Sequence, residues 1–129
     1  MNNLEVTRAR QRLDHLFDLI RTLPDEPEVQ SHWAKYLCVL ASGFLERSIR
    51  MIYGTYVRNA SAPNVANFVE QELKYFQNPT MGKILELTRA FSPDWGAELD
   101  ATTEGKLKDS VDSIVANRNN IAHGEPVGI

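Results

Sequence analysis

A chain of 129 residues, 43% hydrophobic and 24% charged, has the size and balance of one globular domain with its own core. No apolar run approaches the roughly 20 residues of a membrane-spanning helix, and the start, Met1-Asn2-Asn3-Leu4-Glu5, lacks the basic-then-apolar layout of a secretory leader. A formal net charge of −3 at pH 7 excludes nucleic-acid binding by bulk positive charge, so such a site must be local or built from more than one chain.

The apolar periodicity is helical almost throughout, with no repeat and no Gly/Ser linker. Leu13, Leu16, Phe17, Ile20 and Leu23 recur at intervals of three and four, predicting a first helix over about 3–22. Arg8, Arg12 and Asp18 take its opposite face, and Pro24 and Pro27 end it. The second helix is predicted from about Glu28 to Arg58. Trp33, Leu37, Leu40 and Phe44 form one stripe, and Tyr36, Val39, Leu45, Ile49, Ile52 and Tyr53 widen it. A long helix apolar over much of its circumference is expected at the centre of a bundle. Gly43 is read as a place where a neighbouring helix crosses closely. Cys38, on this helix, is the only cysteine, which rules out an intramolecular disulfide and a Cys-x-x-Cys metal site. A reducing, cytoplasmic setting is the expectation.

Ser61 to Asn64 is a break with Pro63 near the next first turn. A third helix is predicted over about 64–75, and Asn78-Pro79-Thr80 starts a fourth through Met81, Ile84, Leu85 and Leu87. Ser92-Pro93-Asp94-Trp95 is an N-cap followed by a first-turn proline, opening a short helix to about Leu99. The last helix is expected to begin at Thr103. Its stripe is Leu107, Val111, Ile114, Val115, Arg118 and Ala122. Gly124 stands where a left-handed C-cap belongs, and Pro126 prevents continuation. No segment has the alternation of a strand pair. The predicted fold is all-α, a bundle of four to six helices around a long central one.

Asn117-Arg118-Asn119-Asn120-Ile121-Ala122-His123 carries the chemistry. Asparagines are poor helix formers, and their amides are useful where something must be bound. Arg118 can be an arginine that lays its stem on the core, or a fork that grips phosphate in a protected cleft. His123 can be a capping residue at the negative end of the helix dipole, or a general acid or base. Five residues separate the two, roughly 7–8 Å along a helix axis and off one face. A phosphate fits between them only if the last turn distorts or a second chain supplies facing groups. His15, His32 and His123 are scattered, so no metal-ligand cluster is expected and no cofactor is implied. Trp33 and Trp95 are read as core or helix-interface residues, and His15 and His32 as facing solvent. Arg47, Arg50, Arg58 and Arg89 are scattered helical arginines, ordinarily a solvated face.

Arg118, a polar Asn119, three further residues and His123 resemble the Arg-polar-x-x-x-His motif of the HEPN superfamily. Ala122-His123-Gly124 at the end of a late helix is similar to many members. Ser42-Gly43-Phe44-Leu45-Glu46-Arg47 on the long helix resembles the acidic-residue-bearing central helix of the RiboL-PSP-HEPN group, and Phe76-Gln77-Asn78-Pro79 before another helix suits it too. The specific part covers about a dozen residues, and the helix order covers most of the chain. The resemblance implies a homodimer in which two motif helices face each other across one composite cleft. It implies a metal-independent endoribonuclease, of the kind found in toxin–antitoxin or phage-defence systems, with RNA as substrate and an antitoxin or companion defence protein as a possible partner. Arg118 would stabilise the developing phosphorane charge, and His123 would move protons as the 2′-hydroxyl attacks. Asn119 would orient His123 or the phosphate, with Asn120 beside it. Glu46 would position Arg118 or His123, unless it forms an i,i+4 pair with Arg50. Some antitoxin-regulated members carry a tyrosine two residues after the histidine. Glu125 stands there, which puts that control in doubt. The chain stops at Ile129, where related domains continue into another helix, so a trimmed chain is one expectation. The competing readings are a non-catalytic HEPN dimerisation or binding module, and an unrelated helical scaffold.

Overall fold

The computed structural model describes residues 3–124. The readings at Glu125, Pro126 and the chain end lie outside them. Within that range there are six helices and no strand: α1 Leu4–Ile20, α2 Pro27–Ala60, α3 Pro63–Leu73, α4 Met81–Phe91, α5 Pro93–Thr103 and α6 Lys106–Ala122. The all-α bundle around a long second helix is therefore what the sequence predicts.

Local chemistry sets most boundaries. Asn3 caps α1, its side-chain oxygen accepting from the amides of Glu5 at 3.1 Å and Val6 at 3.2 Å. Pro27, Pro63 and Pro93 open α2, α3 and α5, where the missing N–H is no loss. Thr80 and Ser92 cap α4 and α5 through their hydroxyls. Three boundaries differ from expectation. Asn78 adopts a positive φ of 52° and belongs to the turn before α4, with Pro79 fully buried. The fifth helix runs to Thr103 rather than Leu99. The last begins at Lys106, after Gly105 turns the chain at φ 82°. The apolar spacing between Leu99 and Leu107 is too sparse to mark this break, whereas a glycine able to take positive φ does mark it.

α1 and α6 both run antiparallel to α2. At one end Asn3 donates to the Thr55 hydroxyl at 3.4 Å, while Phe17 shares a groove with Ala34 and Leu37. On α6, the Ile114 carbonyl accepts from the Cys38 thiol at 3.2 Å, and Val111 lies farther along in the core. That core gathers Met81, Ile84, Leu85 and Val111, with Leu45, Ile49, Phe76 and Leu99 against it. Side chains also bind the helices to one another's ends. Asp112 of α6 accepts from the first α4 amide, Met81 N–H, at 2.9 Å. Arg50 of α2 donates twice, at 2.7 and 3.2 Å, to the Phe76 carbonyl beyond α3.

Gly43 does not mark a close crossing: a Cβ placed there would meet nothing within 4 Å. The close approach is at Gly96, where α5 lies against Arg89 of α4. Trp95 of α5 rests edge-on against Tyr56 of α2, ring centroids 5.1 Å apart, and is a helix-interface residue as expected, whereas the ring that Trp33 meets at 5.5 Å, Tyr36, belongs to its own helix. His15 and His32 are exposed as expected.

Candidate active site

The asparagine-rich segment forms the last turns of α6, whose earlier residues Val111 and Val115 anchor it in the core. The apolar stripe fades toward the end. Ile114 is half-buried, but Arg118 and Ala122 are exposed. In one protomer, therefore, Arg118 is open to solvent rather than held in a protected cleft. The helix terminates at His123, a C-cap with φ −93° and ψ 1° whose N–H donates to the Asn119 carbonyl at 3.1 Å. Gly124 follows with φ 70°, the left-handed stop expected of it, and its N–H donates to the Ile121 carbonyl at 3.1 Å.

One side-chain hydrogen bond joins two of the motif residues. Arg118 Nη1 donates to the Asn119 side-chain oxygen at 3.3 Å. Asn119 and His123 are four residues apart, so their side chains leave the same face of the helix. Asn119, which holds the guanidinium, therefore shares a helix face with His123, which Arg118 by its own spacing does not. Arg118 and His123 are exposed, while Asn119 and Asn120 are half-buried. Asn120 makes no side-chain hydrogen bond among the described residues. One turn earlier, Asn117 donates to the Ser113 carbonyl at 3.0 Å and to its hydroxyl at 3.3 Å. Asn117 also stands at the rim of a groove of about 290 Å³ that it shares with Phe17, Ala34, Cys38 and Ile114. Sequence reading did not foresee this groove. Its walls come from three helices, and only Asn117 belongs to the motif.

Glu46 is elsewhere engaged. Its carboxylate pairs with Arg50 at 3.0 Å, both side chains about one-third exposed, and no ion pair joins it to Arg118 or His123 among the described residues. The i,i+4 pairing is thus the one of the two readings that the structure displays, in a half-buried rather than a fully exposed setting.

Ser113–Gly124 contains Arg118 and His123 and no carboxylate, with Asp112 directly before it. Among the described residues, no three His, Cys, Asp or Glu side chains converge as a metal site would require.

A sequence model of the RiboL-PSP-HEPN family matches residues 5–129. Comparison with curated proteins and comparison with solved structures each return no match.

Proposed function

The chain belongs to the RiboL-PSP-HEPN family, and on that premise we propose that it is a metal-independent endoribonuclease acting from a cleft shared by two copies of α6. The observation that carries this reading is the Arg118–Asn119 hydrogen bond at 3.3 Å, one turn below His123 on an exposed helix end free of carboxylates. In the proposed dimer a second copy supplies the facing groups, because Arg118 and His123 are both open to solvent in one protomer and a bound phosphate takes donors from more than one side.

In the proposed reaction, one His123 imidazole takes the proton of an RNA 2′-hydroxyl as that oxygen attacks the adjacent phosphorus. The 2′-O–P bond forms and the 5′-O–P bond breaks. The leaving 5′-oxygen takes a proton from the imidazolium of the other copy, giving a 2′,3′-cyclic phosphate and a 5′-hydroxyl. Arg118 holds the non-bridging oxygens, where charge grows in the transition state. Asn119 positions the guanidinium, and Asn120 is available to a ligand. DNA, lacking the nucleophile, is not cut.

The test is an RNase assay in excess EDTA on purified dimer. Wild type should cleave RNA. Arg118→Ala and His123→Ala should each lose at least about a hundredfold in rate, the usual scale of a positioned acid–base group, while keeping the wild-type helical spectrum. Folded variants that cut as fast as wild type would remove the assignment. A dimer that never cuts would leave the non-catalytic binding module as the reading. For the biological setting we propose a cytoplasmic toxin–antitoxin or phage-defence role. Growth arrest on expression, relieved by His123→Ala, is its expected sign.

A further inference from the structure

α2 carries two interior glycines with no packing partner. A Cβ at Gly43 or at Gly54 would meet nothing within 4 Å. Each costs about 1 kcal/mol relative to alanine in a helix interior, and close packing does not repay that cost. Tyr36, Gly43, Arg47, Gly54 and Arg58 recur at intervals of seven, four, seven and four, which places them on one face of α2. That face looks into the outer seam between α1 and α2, where grooves of about 740 and 280 Å³ share Met51.

Charge is distributed unevenly along the seam. The larger groove is lined by Glu5 and Glu70 as well as Arg8, Arg50 and Arg58. Two that border the seam are held by protein acceptors: Arg50 by Glu46 and the Phe76 carbonyl, and Arg58 by Glu70 and Asn67. Arg8, Arg12 and Arg47 are exposed and have no acceptor among the described residues. Arg12 and Arg47 line the same groove across from each other, and no carboxylate lines it with them. A neighbouring hollow lined by Arg8, Gln11, Arg12 and His15 holds none either. Opposite charges around one site compensate each other, but like charges left facing each other without a counter-ion favour an anionic occupant. Tyr36, T-shaped against Trp33 at 5.5 Å, is still 49% exposed and lines the same groove.

We propose that this seam is a binding track for single-stranded RNA, with Arg8, Arg12 and Arg47 on the phosphates and Tyr36 stacked on a base. The cations stand in file along the seam. Arg8 and Arg12 are one turn apart, about 6 Å, and Tyr36 and Arg47 about 16 Å apart along their helix. A line of charges with an aromatic platform suits a strand of phosphates and bases better than the short acidic face of a protein helix. α6 packs on a different face of α2, against Ala34, Cys38 and Ala41, with Phe17 of α1 lining the same groove. The track is therefore lined by other residues than the α6 motif. Its choice of RNA as ligand rests on the ribonuclease reading.

Binding is measured on the intact dimer by fluorescence anisotropy with a 2′-O-methylated 16-mer, which keeps the phosphates but has no nucleophile and so is independent of cleavage. The triple variant Arg8→Gln, Arg12→Gln, Arg47→Gln should bind at least about ten times more weakly, and its log Kd against log salt slope should fall by about two, as loss of three phosphate contacts on a single strand requires. Tyr36→Ala should weaken binding about fivefold or more, and Tyr36→Phe should restore it, as stacking requires. Unchanged affinity and salt slope in a folded triple variant would overturn the track. So would competition by polyglutamate as strong as that of unlabelled oligonucleotide, since that would mark an acidic-protein surface. Arginine-dependent binding without any RNA cleavage would retain the track and remove the ribonuclease. Cleavage with arginine-independent binding would do the reverse.

Discussion

Cys38 illustrates how burial sets the behaviour of a single side chain. Its thiol lies under α6 and donates to the Ile114 carbonyl at 3.2 Å, and desolvation pushes its pKa above the ordinary thiol value. The native thiol is thus poorly ionised near neutrality, and it should react with iodoacetamide much more slowly than in urea-unfolded protein. Equal rates would place the sulfur in solvent. The sign for stability follows by linkage. The folded thiol keeps its proton to higher pH than the unfolded one, so its contribution is present below the ordinary thiol pKa and is lost as pH rises through the folded value. Glu46 makes a second case. Its ion pair steadies an Arg50 that already holds the Phe76 carbonyl. Glu46→Gln should lower unfolding free energy by about 1 kcal/mol or less, as for a partly exposed pair, read from urea melts. A loss of several kcal/mol would point to a role in more than this pair. The motif was legible at this scale because Arg118 and His123 are set by identity and spacing. The Arg118–Asn119 bond was not, because adjacent helical residues ordinarily diverge and only a rotamer joins them.

At the scale of elements, two glycines with the same helical propensity should respond oppositely to alanine. Gly43 faces open space, so Gly43→Ala should raise the unfolding free energy by up to about 1 kcal/mol. At Gly96, a Cβ would overlap Arg89 Cγ and lie 3.3 Å from the Arg89 Cα. Gly96→Ala should lower stability by about 1–3 kcal/mol, the range for overpacking a close contact. Thermal melts of the two variants that shift in the same direction would contradict this geometry. The contrast also marks how far the sequence could be read. Helix number, the central α2 and the proline-opened starts of α3 and α5 were legible because capping and periodicity are local. Which glycine meets a neighbour depends on how α4 and α5 pack, so Gly43 was read as the contact and Gly96 passed unmarked. The α5–α6 boundary was lost for a related reason: apolar spacing is sparse there, and the deciding residue, Gly105, acts through its backbone φ of 82°.

Across the whole molecule, burial is uneven. The core is built from α4, α6 and the middle of α2, whereas α1 contributes no buried residue. α3 is fastened to α2 through Arg58, whose guanidinium meets the Glu70 carboxylate at 2.6 and 3.1 Å and holds that carboxyl below its usual pKa range. Charge is uneven too: Arg8, Arg12 and Arg47 lie on the α1–α2 side, while Arg118 lies in the last turns of α6. No helix among the described residues is long and apolar enough to cross a membrane. The net charge of −3 therefore conceals a groove lined by Arg12 and Arg47 without a carboxylate, which a count over composition averages away.

The lack of any buried side chain in α1 has a kinetic corollary. A helix held only by partial contacts opens at lower free energy than the core it covers. Its backbone amides should therefore exchange with deuterium earlier than those of α4 and α6. A polyanion that tied Arg8 and Arg12 to Arg47 would act as a brace from α1 to α2, slowing exchange in that first helix before any other.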